Sequence, residues 1–153
     1  MQSVIITDSQ LIQHLIAFGV PENTIMIYDE YYNCPTKEWI VGPFAKQFND
    51  YLFYNKIQWI ENKFDCNKFS KLATCIADMD WLNTPSDENA LAYGLIAADG
   101  HCITIADHNG EIGLYEPQPA IPAGKDSTYA LVTMTPVIWT KDQLKTCVGC
   151  LFC

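Results

Sequence analysis

The chain has 153 residues, 49% of them hydrophobic, so it is long enough for one sizeable core and too short for two comfortable ones. Its 9 lysine and arginine residues against 18 acidic residues give a net charge of -9, which argues against a nucleic-acid partner because phosphates attract basic patches. We assign this charge to solubility rather than to steering of a cationic substrate. No apolar run reaches the roughly 18 residues of a membrane span, and we expect no membrane partner.

Seven cysteines are many for a chain of this length, and their number is odd. A secreted disulfide framework favours an even number and a signal peptide, whereas the first residues lack both a charged segment and a long apolar one. We therefore predict free thiols in the reducing environment of the cytoplasm.

The first predicted element is a short helix over residues 9–18, capped near Asp8 or Ser9 and ended by Gly19. A strand over residues 25–28 is predicted to follow it. An aromatic-rich segment then leads to a second helix.

Pro35 with Thr36 starts this second helix, and Gly42-Pro43 is expected to kink or restart it. One side of the helix is predicted to be apolar and to belong to the core, and it carries Phe44, Phe48, Tyr51 and Leu52.

A third helix, over residues 66–80, is predicted to begin at Cys66, with Asp65 as its N-cap. Apolar residues recur at helical spacing behind the cysteine, at Phe69, Leu72, Ala73, Ile76 and Met79. Cys66 then lies in the first turn, where free backbone amides and the helix dipole favour a thiolate. A cysteine in an apolar helix is more often a small hydrophobic residue, so its position alone decides nothing.

A polar loop over residues 82–89 and a buried strand over residues 90–98 come next, followed by a hairpin. Asn109-Gly110 between two β-like runs is the strongest short hairpin signal, because both residues tolerate positive φ. A two-residue loop at this point pairs His108 with Glu111.

The same register places Ile103 opposite Glu116 and His101 opposite Gln118. Because side chains alternate between the two faces, one face then carries His101, Ile103, Ile105, Leu114, Glu116 and Gln118. His101 and Glu116 become diagonal neighbours, about 7–8 Å apart at the backbone, a gap that long side chains can close. A bulge of one residue would separate them again.

Beyond the hairpin we predict a loop over residues 117–125 and strands over residues 129–134 and 137–139. Helices first and an antiparallel sheet afterwards indicate an α+β fold, with N-terminal helices packed on a sheet or half-barrel. We expect one domain over residues 1–153, made of a helical lead-in (1–65), the nucleophile helix (66–80), the sheet (90–140) and a cysteine-rich tail (141–153).

Cys147, Cys150 and Cys153 form a C-x-x-C-x-x-C run in this tail. Such a run could hold zinc or an iron-sulfur cluster, but both need a fourth ligand, and only Cys34 is a candidate. The apolar residues between these cysteines favour a tail docked on the body. We therefore expect ordinary thiols and no metal or other cofactor.

Three motifs together resemble the papain-like domain that follows the lectin module of a mushroom agglutinin and its bacterial and phage relatives. They are Phe64-Asp65-Cys66-Asn67-Lys68-Phe69, Gly100-His101 opening a strand, and Glu116-Pro117-Gln118 ending the next. The resemblance covers roughly residues 30–120. It implies that Cys66 is the nucleophile, His101 the base and Glu116 the group that orients the base.

The family's Phe-Asp-Cys-Asp-Asp-Phe run also carries two acidic residues that this chain replaces with Asn67 and Lys68. If those acids bind calcium in relatives, Lys68 places a cation there, and we expect no metal dependence. The resemblance further implies that Trp59 and Gln118 line the site. No sugar-binding repeat is visible in the sequence.

We therefore predict a papain-like cysteine hydrolase that acts on a peptide or protein substrate at a peptide or amide bond. The oxyanion would be held by the Cys66 amide and a donor from Trp59, Gln58 or Gln118. Hydrolysis and transfer to an amine both remain open, as do peptide, isopeptide, peptidoglycan-stem and simple amide substrates and the oligomeric state.

The competing hypothesis is a catalytically silent phage or bacterial binding protein that keeps this fold. A cell-wall amidase is a third, although those enzymes commonly continue with Ser-Gly after the cysteine, which is absent here.

Overall fold

The computed structural model of the protein describes residues 4–60, 62, 64–83, 89–119 and 132–153. The elements in chain order are β1 (Val4–Thr7), α1 (Asp8–Phe18), β2 (Ile25–Ile27), β3 (Tyr31–Cys34), α2 (Lys37–Trp39), α3 (Ala45–Tyr54), α4 (Cys66–Leu82), β4 (Ala90–Leu91), β5 (Tyr93–Ala98), β6 (His101–Asp107), β7 (Ile112–Glu116), β8 (Thr135–Val137), α5 (Lys141–Lys145) and β9 (Gly149–Phe152). A 3₁₀ turn (Glu22–Thr24) precedes β2, and a π-helical turn (Ile40–Phe44) joins α2 to α3.

The strands form two sheets. A six-stranded sheet has the order β2-β9-β5-β6-β7-β8 and is antiparallel except for the β2–β9 pair. A three-stranded sheet has the order β1-β3-β4. Helices and a largely antiparallel sheet confirm the predicted α+β class, and the larger sheet is open rather than closed into a barrel.

The segment before α4, predicted as a helical lead-in with one strand, contains three strands: β2 confirms the strand predicted over residues 25–28, whereas β1 and β3 were not predicted. α1 is capped by Thr7, whose hydroxyl accepts from the Gln10 N–H while the Gln10 side chain accepts from the Thr7 N–H. The cap expected at Asp8 or Ser9 therefore lies one or two residues earlier than predicted. Gly19 ends the helix at φ 119°, as expected. β1 and β3 have only four residues each, and so short a pattern did not reveal them in the sequence.

The expected irregularity at Gly42-Pro43 is the π-helical turn. Proline has no N–H to donate, and a wider turn accommodates the missing bond without ending the helix. Phe44, Phe48 and Leu52 are buried as predicted, whereas Tyr51 is 36% exposed and lies at the edge of that side.

The predicted strand over residues 90–98 is divided at Ala92: β4 pairs with β3 in the smaller sheet, and β5 pairs with β6 and β9 in the larger. The predicted strand over residues 137–139 is instead β8. Residues 132–134 form no strand, and 129–131 lie outside the described residues, as do residues 84–88 and 120–125 of the two predicted loops.

The C-terminal segment is not a tail docked on the body but a strand inside the larger sheet. β9 lies between β2 and β5, with Cys150 and Phe152 fully buried. Gly94 of β5 makes this close approach possible, because a Cβ there would overlap the Leu151 carbonyl oxygen.

Two apolar clusters flank the larger sheet. Leu11, Leu15, Ile103 and Ile105 belong to the first, and Phe44, Phe48, Phe69, Tyr93 and Tyr115 belong to the second, which includes the buried face of α4. This packing brings the start of α4 near the start of β6. None of the helices in the described ranges combines the length and apolar character that a membrane crossing requires.

Candidate active site

The hairpin of β6 and β7 has the predicted register. Thr104 pairs with Tyr115 and Ile105 with Leu114. This is the register that a two-residue loop at Asn109-Gly110 requires. Both loop residues have positive φ, 65° and 96°. The backbone N–H of His108 donates to the Glu111 carbonyl at 2.9 Å, which closes the loop as expected.

This register brings His101 and Glu116 into contact. The distance between His101 Nε2 and Glu116 Oε2 is 2.6 Å. The second carboxylate oxygen, Oε1, accepts a 3.2 Å hydrogen bond from the Gln118 backbone N–H. Both oxygens of Glu116 are therefore held, and the carboxylate fixes the orientation of the imidazole.

Cys66 is the first residue of α4, and its side chain lies beside the His101 imidazole. Because Nε2 faces Glu116, Nδ1 is the nitrogen left for the thiol. Cys66 is half-buried, in contrast to the buried thiols Cys34, Cys102, Cys147 and Cys150.

The pKa of His101 is raised to about 9. The main cause of this rise is the hydrogen bond to Glu116, and burial opposes it. The charge of Glu116 and the nearby Cys66 side chain raise the pKa further. At neutral pH the imidazole is therefore protonated, held between a carboxylate and a sulfur.

The other two histidines have structural partners. His108 donates from Nδ1 to the Pro35 carbonyl at 2.6 Å and accepts from the Tyr115 hydroxyl at 2.7 Å, and burial lowers its pKa. His14 lies 2.6 Å from the fully buried carboxylate of Asp107.

Asp65 occupies the N-cap position of α4, as predicted, but its side chain makes no capping hydrogen bond among the described residues. Its backbone carbonyl accepts from the N–H groups of Lys68 and Phe69, and its carboxylate lies 3.5 Å from the Lys68 ammonium. Lys68, whose charge was expected to disfavour a bound metal, thus forms an ion pair with Asp65.

The buried face of α4 also differs from the predicted one. Met79 is 46% exposed and Leu72 only partly buried, whereas the buried positions are Phe69, Ser70, Ala73, Ile76 and Ala77. Sequence analysis missed Ser70, whose hydroxyl contacts the carbonyls of Cys66 and Cys102. A polar residue within an apolar stripe, four positions after the cysteine, was the available signal.

The three residues proposed as oxyanion donors or site lining occupy two segments. Gln58 and Trp59 are half-buried between α3 and α4, and Trp59 packs against the second cluster. Gln118 follows β7, and its side-chain oxygen is buried with no hydrogen-bond partner among the described residues. Their roles at the site stay predictions.

The cysteines considered as metal ligands have different surroundings. Cys34, Cys147 and Cys150 are buried in the first apolar cluster, and Cys153 is exposed. Burial raises the pKa of Cys34 to about 11 and raises that of Cys150 as well, which disfavours the thiolate form that binds metals. Within the described ranges, no three His, Cys, Asp or Glu side chains group in a way that could hold an ion.

No known protein family and no curated protein matches this chain. Among solved structures, it is similar to the one described as the PSL1a-E64 complex, with a TM-score of 0.57 and 18% sequence identity. The match covers 74% of this chain and 44% of that one, so it spans less than half of the neighbour. The two proteins therefore share a fold over most of this chain.

Proposed function

We propose that the protein is a papain-like cysteine hydrolase that cleaves a peptide or amide bond with Cys66, His101 and Glu116. The observation that carries the proposal is the position of the His101 imidazole, which contacts Glu116 through Nε2 at 2.6 Å and lies beside the Cys66 side chain at the start of α4. The resemblance of the surrounding motifs to the papain-like domain of the mushroom agglutinin supports the same assignment.

In the proposed reaction the Cys66 thiolate attacks the carbonyl carbon, forming a carbon–sulfur bond and an oxyanion. The oxyanion accepts hydrogen bonds from the Cys66 backbone N–H, which as the first amide of α4 has no partner within the helix, and from a donor of Trp59, Gln58 or Gln118. His101 then gives its Nδ1 proton to the leaving amine as the carbon–nitrogen bond breaks, and a thioester remains.

Water completes the cycle. His101, now neutral, takes a proton from the attacking water, and the thioester is cleaved to an acid and the Cys66 thiolate. Glu116 holds Nε2 throughout, so that Nδ1 keeps facing the sulfur in both charge states of the ring. An amine in place of water would give transfer rather than hydrolysis.

The structural neighbour supports the part of the proposal that concerns the fold. PSL1a is described in complex with E64, which inhibits cysteine proteases, and its fold is shared over most of this chain. A shared fold alone does not carry an activity from one protein to another. E64 is nevertheless a rational probe, because it is attacked by an activated thiolate.

The proposal is tested by treating the full chain with iodoacetamide or E64 near neutral pH and locating the modified cysteine by mass spectrometry. The exposed thiols Cys75 and Cys153 serve as internal references. We expect Cys66 to react first and selectively, and His101→Ala to abolish that selectivity. Equal labelling of Cys66, Cys75 and Cys153 would instead support the silent binding protein.

A further inference from the structure

The hydroxyl of Ser70 lies between the nucleophile helix and the strand that carries the base. Its Oγ is 2.8 Å from the Cys66 carbonyl oxygen and 2.9 Å from the Cys102 carbonyl oxygen. Ser70 is fully buried, and its neighbours on the same face of α4 are apolar. A buried hydroxyl in such a stripe persists when its hydrogen bonds offset the cost of burying it.

The two carbonyls that Ser70 contacts belong to the proposed nucleophile and to the residue next to the proposed base. One carbonyl is that of Cys66 itself, and the other is that of Cys102, which directly follows His101. The Cys102 side chain also lies beside this hydroxyl. A single small group therefore contacts the backbone of the nucleophile and the backbone next to the base.

The strand and the helix are distant in sequence, so their spacing depends on tertiary contacts. Apolar side chains tolerate small shifts of α4 on the sheet. The Ser70 hydroxyl, with one carbonyl of α4 at 2.8 Å and one of β6 at 2.9 Å, restricts the distance between this helix and this strand more narrowly. We propose that Ser70 is a positioning residue that sets the separation between the Cys66 sulfur and the His101 imidazole. The inference rests on the proposed function, because it concerns the same pair.

Ser70→Ala tests this proposal. Alanine removes only the oxygen and is a good helix former, so α4 remains helical. Loss of the contact lets α4 shift relative to β6, and misplacement of reacting groups by about 1 Å costs on the order of 100-fold in rate. We expect the alkylation rate of Cys66 at mildly acidic pH to fall by about 10- to 100-fold, with the pH profile of Cys66 moving toward that of Cys75.

Thr74→Ala is the matched control. Thr74 lies on the same helix and donates to the Lys71 carbonyl within that helix, away from β6. The variant loses a hydroxyl but no link between helix and strand, so its Cys66 profile should equal that of the unmodified protein. The charged groups near the pair, Lys71, Glu116 and His101, stay unchanged in both variants.

Ser70→Thr supplies the rescue, because threonine keeps a hydroxyl that can bond to the carbonyl four residues earlier. We expect it to recover a large part of the Cys66 reactivity that alanine loses. The histidine titration of Ser70→Ala, followed by NMR, gives a second readout that is independent of alkylation.

The outcomes separate the two proposals. If Cys66 of the unmodified protein shows no selective reactivity, the proposed function fails. If Cys66 is selectively reactive and Ser70→Ala changes only the melting temperature, with the Cys66 profile and the His101 titration unchanged, Ser70 is merely structural and the positioning role is overturned.

Discussion

Replacing Glu116 with Gln should lower the pKa of His101 without disturbing the hairpin. The carboxylate is the main cause of the raised value, through a 2.6 Å contact with Nε2. Glutamine is nearly isosteric and can still accept from Nε2–H, but it carries no charge. The perturbation therefore removes the charge and keeps most of the geometry.

The expected size follows from the pKa itself. A rise from 6.5 to about 9 corresponds to about 3 kcal/mol of preference for the charged ring. The side chains of His101 and Glu116 are 31% and 25% exposed, so solvent screens part of their interaction. We expect Glu116→Gln to lower the pKa of His101 by at least one, equivalent to about 1.4 kcal/mol.

The same shift has a consequence for stability. Because the pKa of His101 is higher in the folded protein, the pair stabilises the fold fully below pH 6.5 and loses that contribution as pH rises through about 9. In Glu116→Gln the decline of the free energy of unfolding across this pH window should be smaller. Urea denaturation at several pH values measures this difference.

The titration is accessible to NMR because the chain has only 3 histidines. His108, whose pKa is lowered by burial, and His14 serve as internal references. Cys66→Ala should lower the pKa of His101 less than Glu116→Gln does, because the contributions of Cys66 are the smaller ones. A His101 that titrates near 6.5 in the unmodified protein, or that is unaffected by Glu116→Gln, would refute this reasoning.

Three further predictions concern activity, packing and metal content. Cys66→Ala should abolish any peptidase or amidase activity with an unchanged circular dichroism spectrum, whereas Glu116→Gln should cost less activity; equal turnover by Cys66→Ala and the unmodified protein would return it to the binding class. Gly94→Ala should lower the free energy of unfolding by about 1–3 kcal/mol or more, because the new Cβ overlaps the Leu151 carbonyl; an unchanged urea midpoint would contradict this. Elemental analysis should find no stoichiometric zinc or iron, and a chelator should leave the melting temperature unchanged; near one metal per chain, lost with stability in Cys150→Ser, would overturn the prediction.

The contact between His101 and Glu116 could be predicted because it depends on a local signal. Asn109 and Gly110 fix a two-residue loop, and the alternation of strand side chains does the rest. The α+β class followed from the same patterns. These features depend on residues that are close in sequence, where turn chemistry and periodicity carry the information.

The smaller sheet and the position of β9 could not be predicted in this way. β2 pairs in parallel with β9, so Ile25 lies opposite Cys150 although most of the sequence separates them. Short strands do not identify their pairing partners, and the apolar residues of β9 were equally consistent with a tail docked on the body. The role of Ser70 was missed for a related reason, because the partners of its hydroxyl are backbone carbonyls, which no side-chain pattern reveals.

The two halves of the candidate site therefore have different origins. The pair of His101 and Glu116 belongs to one hairpin, whose register is set by its own loop. The approach of Cys66 to His101 depends on the packing of α4 against the sheet, through apolar side chains such as Phe69 and the hydroxyl of Ser70. Substitutions on the buried face of α4 should accordingly change the reactivity of Cys66 while the bond between His101 and Glu116 persists, because nothing on that face sets the hairpin register.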